Sequence, residues 1–186
     1  IMKLVENHFY EPLKRKNFKN ITNTTIIVVW RNKNKNRYLV HMRNKNIYNG
    51  GGMWAFPGGM LEKTDKTLQE GALRETIEES QVKINSDILN WNKLKKYSKY
   101  LFPLRKDSTN MTFFMIIKST KKPKVLGPLK INKKPFLKSD MEIELTQKNF
   151  SGHLFLSSKK ILKLIKKKKF WKYSTEVYKK LYDILE

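Results

Sequence analysis

Residues 53–81 read MWAFPGGMLEKTDKTLQEGALRETIEESQ, and the reading of the chain turns on them. Trp54-Ala55-Phe56 is a short apolar strand that runs into Pro57-Gly58-Gly59, where the glycines permit backbone dihedrals closed to other residues. From Thr67 to Ser80 only Gly71 interrupts a helical pattern, and Leu73 and Ile77 share one face, so an amphipathic helix is expected there. Glu75, Glu78 and Glu79 then stand at i, i+3 and i+4, which sets three carboxylates side by side. Like charges so placed repel, and a hard, oxygen-seeking cation such as Mg²⁺ would stabilise them. Arg74 lies four residues after Glu70 and four before Glu78, well placed to pin them. The plainer alternative is a solvated helix face laced with Glu–Arg pairs.

The stretch is acidic in a basic chain. Six of the sixteen acids (Glu62, Asp65, Glu70, Glu75, Glu78, Glu79) fall here, while 34 Lys and 6 Arg bring the formal charge of the 186 residues to +24. Sixteen Asn against two Ala point to AT-rich coding, which accounts for part of the lysine but not for the shortage of acids. A polyanionic partner is therefore expected, nucleic acid ahead of an anionic membrane surface. The chain has no cysteine, so a disulfide framework, a thiol nucleophile and a thiolate zinc site are excluded. No apolar run approaches the roughly 20 residues that cross a bilayer, so no membrane insertion is expected. No secretory leader pattern follows Ile1, and an intracellular soluble protein is expected.

Outward from the acidic stretch, residues 1–20 read as a basic arm, with Lys14, Arg15 and Lys16 beside Phe9, Tyr10 and Phe18. Thr24–Trp30 and Tyr38–Met42 read as a hairpin across a polar loop, residues 31–37. His8, His41 and His153 lack ligand spacing and read as structural. On the C-terminal side, Val82–Ile84 and Tyr97–Leu104 read as strands, and Met111–Lys118 as a central one. Residues 119–138, with three prolines, read as a long basic loop carrying Lys121, Lys122, Lys133 and Lys134. Residues 140–144 form an acidic patch and read as an edge strand with outward carboxylates. His153–Leu156 reads as a strand, followed by a helix capped by Ser157 or Ser158 and buried along Ile161, Leu164 and Ile165. Lys166, Lys167, Lys168 and Lys169 close that helix and, with Trp171 beside them and with Lys14, Arg15, Lys16, Lys121, Lys122, Lys133 and Lys134, are candidate RNA contacts. A last helix capped by Ser174 carries Val177, Leu181 and Leu185.

The Trp-x-Phe-Pro-Gly-Gly run and the Arg-Glu-x-x-Glu-Glu core, Arg74 to Glu79, resemble the signature of the Nudix hydrolases. In that signature a glycine, five residues, Glu and seven residues precede Arg-Glu-apolar-x-Glu-Glu-x-Gly-apolar. Here Asp65 stands for the first Glu, one residue is inserted before Arg74, Thr76 replaces an apolar residue and Gln81 replaces the glycine. The resemblance implies an α/β class fold: a Nudix-type α/β/α sandwich with a mixed sheet over 21–168, the basic N-terminal arm before it and an extra C-terminal helix over 169–186. It implies cleavage of a diphosphate linkage with Mg²⁺ or Mn²⁺. In those roles Glu75, Glu78 and Glu79 would be metal ligands, Glu75 alternatively the base, and Arg74 its positioning partner. Gly58 and Gly59 would form the phosphate loop, and Glu142 or Glu144 would supply a further base or metal ligand.

Two functions follow. The spacing of the later elements is similar to the Nudix-fold protein of the mitochondrial large ribosomal subunit, which implies a structural, rRNA-associated role beside neighbouring ribosomal proteins, in mitochondria and without a cofactor. The surviving carboxylates imply instead an active hydrolase on an RNA 5′ end, a cap or a small-molecule nucleotide substrate. Whole-surface charge favours the ribosomal expectation.

Overall fold

The computed structural model describes residues 1–46, 50–89, 91–128 and 150–186. Its centre is a mixed sheet built on five main strands. In it β2 (Asn23–Asn32) pairs in parallel with β9 (Asn110–Lys118), and antiparallel with β3 (Lys35–Arg43). β1 (Lys3–Leu4) borders β9, and β11 (Phe150–Ser157) borders β3. Short strands complete it: β4 (Trp54–Ala55) on β3, β5 (Gly58–Met60) on β2, and β8 (Phe102–Lys106) on β9. β6 (Val82–Ile84), β7 (Asp87–Ile88) and β10 (Lys124–Val125) make a small separate sheet.

The apolar run of β2 is buried on both faces, as a central strand requires. Ile26, Val28 and Trp30 face α1 (Leu68–Glu79), while Ile27 and Val29 face α3 (Ser158–Lys166) and α4 (Lys172–Leu185). The α/β/α layering is thus the physical result of period-two alternation along the continuous apolar run of one strand, residues 26–30. Leu68, Leu73 and Ile77 fasten α1 to the sheet, each burial contributing roughly 1.5–3 kcal/mol.

Several expectations are corrected. Residues 97–104 are not one strand: α2 (Leu94–Tyr97) and a 3₁₀ turn (Ser98–Tyr100) precede β8, and Ser98 Oγ donates to the Leu94 carbonyl. The 31–37 loop shrinks to a tight turn, with Lys33 at positive φ and Arg31 Nε donating to Asn36 Oδ1 across the hairpin. Ser174 does not cap α4, which starts two residues earlier; its buried Oγ accepts instead from Phe56 N–H. Ser157 is the cap of α3, accepting from Lys160 N–H. Within the expected long loop, Lys124–Val125 pairs with β6. Glu142, Glu144, Lys133 and Lys134 lie outside the described residues.

Candidate active site

Thr67 caps α1 by accepting from Glu70 N–H, and this fixes the register of the four carboxylates and one guanidinium that follow. Gly71 lets the loop below approach: a Cβ there would stand 2.3 Å from Leu61 Cδ2 and 3.2 Å from Asp65 Oδ2. That close approach delivers Asp65 to Arg74.

Arg74 is the hub, with 1% exposure. Its Nε and Nη2 donate to the two oxygens of Asp65 at 3.1 and 2.9 Å, and Nη2 also donates to the Met60 carbonyl at 2.8 Å. Nη1 donates to Glu75 Oε1 at 2.8 Å and to Glu78 Oε2 at 3.2 Å, with Glu62 Oε1 at 3.4 Å. Burial opposes the guanidinium charge, but the Asp65 hydrogen bonds and the charges of Glu75, Glu78 and Asp65 outweigh it and push the pKa up. A planar fork serves three acids at once, which a lysine could not do.

The carboxylates then turn towards the glycines. Glu75 lies over Gly59, where a Cβ would meet its carboxyl atoms at 2.5–2.7 Å. Glu79 Oε2 accepts from Gly58 N–H at 3.2 Å and stands 3.6 Å from His41 Nδ1. Burial and the neighbouring His153 and Arg43 hold His41 well below the usual histidine pKa. Its ring meets that of His153 edge to face at 5.9 Å.

A cleft of about 400 Å³ opens beside these groups, lined by Thr25, Arg43, Gly59, Asn110, Trp171 and Tyr173 among others. The Arg43 guanidinium lies 4.6 Å from the centre of the Trp171 ring. Tyr173 is held by donating to Asp107 Oδ2 at 3.0 Å, with Thr112 Oγ1 at 2.9 Å; burial pushes its hydroxyl up to about 12. Trp171, read from the sequence beside the lysine run, is half-buried in this cleft. Arg43, Tyr173 and His41 were not singled out for the site. Alternation along β3 sets His41 and Arg43 on one face, and that is the signal that points to them.

The other candidates lie elsewhere. Lys166 to Lys169 are exposed at the end of α3, and Lys121 and Lys122 are exposed beyond β9. Lys14, Arg15 and Lys16 form a turn packed on the start of α1: Leu68 N–H donates to the Leu13 carbonyl, and Gln69 Nε2 to that of Glu11.

The donor chemistry of Glu75, Glu78 and Glu79, all hard oxygens on one helix, suits a divalent cation such as Mg²⁺. Their arrangement does not yet enclose one. Among the described residues no three such side chains converge as a metal site, because Arg74 draws Glu75 and Glu78 while Glu79 turns to Gly58.

The model of the NUDIX domain matches residues 21–133, and the chain belongs to that family. Among curated proteins none matches. Of solved structures, the NUDIX domain of Shewanella oneidensis NrtR in complex with ADP ribose is similar, with 13% identity, 96% of this chain and 95% of that chain covered, and a TM-score of 0.57. The Nudix hydrolase RenU of M. smegmatis is 10% identical over 89% and 85%, with a TM-score of 0.53. A bifunctional NMN adenylyltransferase/ADP ribose pyrophosphatase of Francisella tularensis, complexed with AMP and a Mn ion, is 13% identical over 92% of this chain and 45% of its own, with a TM-score of 0.53. These likenesses establish the fold.

Proposed function

We propose that the chain is a divalent-metal-dependent Nudix hydrolase that cleaves a nucleoside-diphosphate linkage at an RNA 5′ end. One observation carries the reading: the departures from the signature are absorbed without dislodging its charged groups. Asp65, one methylene shorter than Glu, still takes Arg74 with both oxygens. Despite the residue inserted before Arg74, α1 runs unbroken from its Thr67 cap, so Arg74, Glu75 and Glu78 keep one register. Gln81 adopts the left-handed conformation that the missing glycine would have, at φ 46°.

In this reading Glu75, Glu78 and Glu79 would hold the metal once Glu75 and Glu78 turn from Arg74. When bound, it neutralises phosphate oxygens and lowers the pKa of an attacking water. Arg74 positions Glu75, and Gly59 leaves the space above which that carboxylate stands. Trp171 and Arg43 offer a stacking face and a cation to the nucleotide end of a substrate. The proteins of similar fold bound to ADP ribose and to AMP with Mn are consistent with such a ligand class. The net charge of +24 selects RNA over an uncharged or small metabolite.

The test is Mg²⁺-dependent release of a nucleotide or cap from 5′-capped and 5′-diphosphate RNAs, with loss of at least a hundredfold in Glu78→Gln. No turnover on any of these substrates overturns the reading. One observation favours a second reading, an rRNA-associated structural component of a mitochondrial large ribosomal subunit: the acids are drawn onto Arg74 in a chain of such high charge. Sedimentation of the native protein with large subunits after a high-salt wash supports that role; recovery only at the top of the gradient sinks it.

A further inference from the structure

Between the N-terminal segment and the start of α1 runs a groove of about 560 Å³, separate from the cleft beside Gly59. Its cations come from three separate parts of the chain: Lys14, Arg15 and Lys16 from the N-terminal turn, Lys63 and Lys66 from the loop that delivers Asp65, and Lys95 from α2. The acids in its wall are Asp65, buried and taken by Arg74, and Glu70, which accepts from Lys66 N–H. The groove is therefore strongly positive. Tyr10 adds a half-buried aromatic ring.

The groove is also built. Arg15 donates through Nη1 to the Glu62 carbonyl and through its backbone N–H to the Lys66 carbonyl. Leu13 N–H donates to Gln69 Oε1 at 3.1 Å, and Lys14 pairs in a backbone bridge with Thr67. The backbone of the segment is thus held against α1, which fixes where its cations leave the chain along the groove. An adjoining depression shares Asp65, Lys66, Glu70 and Lys95 and reaches Arg74, so the groove backs onto the loop of the candidate active site.

We propose that this groove is a binding track for single-stranded RNA, which holds the body of the strand by its phosphates with Tyr10 as a stacking face. A positive groove with an aromatic ring is the arrangement that tracks a single strand without reading its sequence. The proposal shares its choice of ligand with the function above but not its chemistry: it stands whether or not the site turns over.

Binding is measured by fluorescence anisotropy of the intact chain with a ten-nucleotide RNA, without divalent cation, across a salt series. The triple variant Lys14→Glu/Lys63→Glu/Lys95→Glu changes charge in the groove, and Lys166→Glu/Lys167→Glu/Lys169→Glu makes the same change at the end of α3. The groove variant is expected to lose at least tenfold in affinity, its slope of log K against log salt shallower by about 2, from roughly 0.7 per lost phosphate contact. The α3 variant is expected to stay within threefold of the parent. Tyr10→Ala tests the stacking face and is expected to lose at least threefold with the salt slope unchanged. Equal losses in the two triple variants, or no loss in the groove variant, overturn the proposal. So does an affinity for a nucleoside triphosphate as high as for the RNA. Failure of the hydrolase reading leaves all these readouts unchanged, because none depends on turnover.

Discussion

The interior of α1 and the exterior of the molecule use charge in opposite ways. Around Arg74, three buried acids, Asp65, Glu75 and Glu78, are held by one cation, each at a defined oxygen, with the more exposed Glu62 at the edge. On the surface, lysines such as Lys166 to Lys169 stand in water with no such geometry. Inside, removal of one member leaves others without water to replace it; outside, water and salt substitute at little cost. The comparison teaches that the acidic stretch is part of the core as well as a candidate site, whereas the exposed lysines contribute little to the fold.

The largest break in that contrast is Arg74→Leu. It keeps an apolar stem but strands Asp65, Glu75 and Glu78 beside one another, so a loss of about 3–5 kcal/mol is expected from urea denaturation. Lys166→Glu, under the same conditions, is expected to change stability by less than about 0.5 kcal/mol. If the two variants melt alike, Arg74 is not the hub its contacts describe.

A second expectation concerns acid. His153 stays neutral down to about pH 4 because burial disfavours its charged form, partly offset by a backbone hydrogen bond to Glu79, and His41 is depressed for the same leading reason. In the unfolded chain both bind a proton near pH 6.5. Between these values the unfolded state holds more protons, so stability falls as pH drops from 6.5 towards 4. From the His153 shift alone the loss approaches about 3 kcal/mol at full extent. Denaturation at pH 7 and at pH 4.5 checks it: His153→Gln is expected to flatten this limb by about 2 kcal/mol, and an unaltered fall in the variant removes His153 as its source.

Much of this was legible in the sequence. Period-two alternation and an unbroken apolar run located β2, β3 and β9, and the spacing of Arg74, Glu75, Glu78 and Glu79 placed them on one helix before any contact was known. What stayed hidden depends on contacts between distant parts of the chain. Ser174 has the chemistry of a cap, yet Phe56 N–H, 118 positions away in sequence, claims its hydroxyl. Trp171 sits beside lysines in the sequence, but the pairing of Trp54 with Phe170 turns it into the cleft under Arg43. Residues 97–104 alternate like a strand, and a helical turn closed by Ser98 on Leu94 wins over that pattern.

The same opposition between interior and exterior can be read at two helix ends. α1 and α3 are each followed by a non-glycine in the left-handed conformation, Gln81 at φ 46° and Lys168 at φ 55°. After α3, Lys168 N–H donates to the Ile165 carbonyl and Lys169 N–H to that of Leu164, so the backbone alone makes the cap, and the exposed lysine side chain adds nothing to it. Lys168→Gly relieves the conformational cost and, after the added freedom of the unfolded chain, is expected to stabilise by about 0.5 kcal/mol. Gln81 is buried, and its side-chain amide donates to the Gly127 and Pro128 carbonyls at 3.0 and 3.1 Å. Gln81→Gly gains the same backbone relief but loses both bonds, each contributing about 1 kcal/mol, so a net loss of about 1.5 kcal/mol is expected. Paired thermal melts read the signs directly. Opposite signs mean that the residue standing where the family signature has glycine is held by its own tertiary contacts; equal stabilisation in both variants means that Gln81 is a defect the fold merely tolerates.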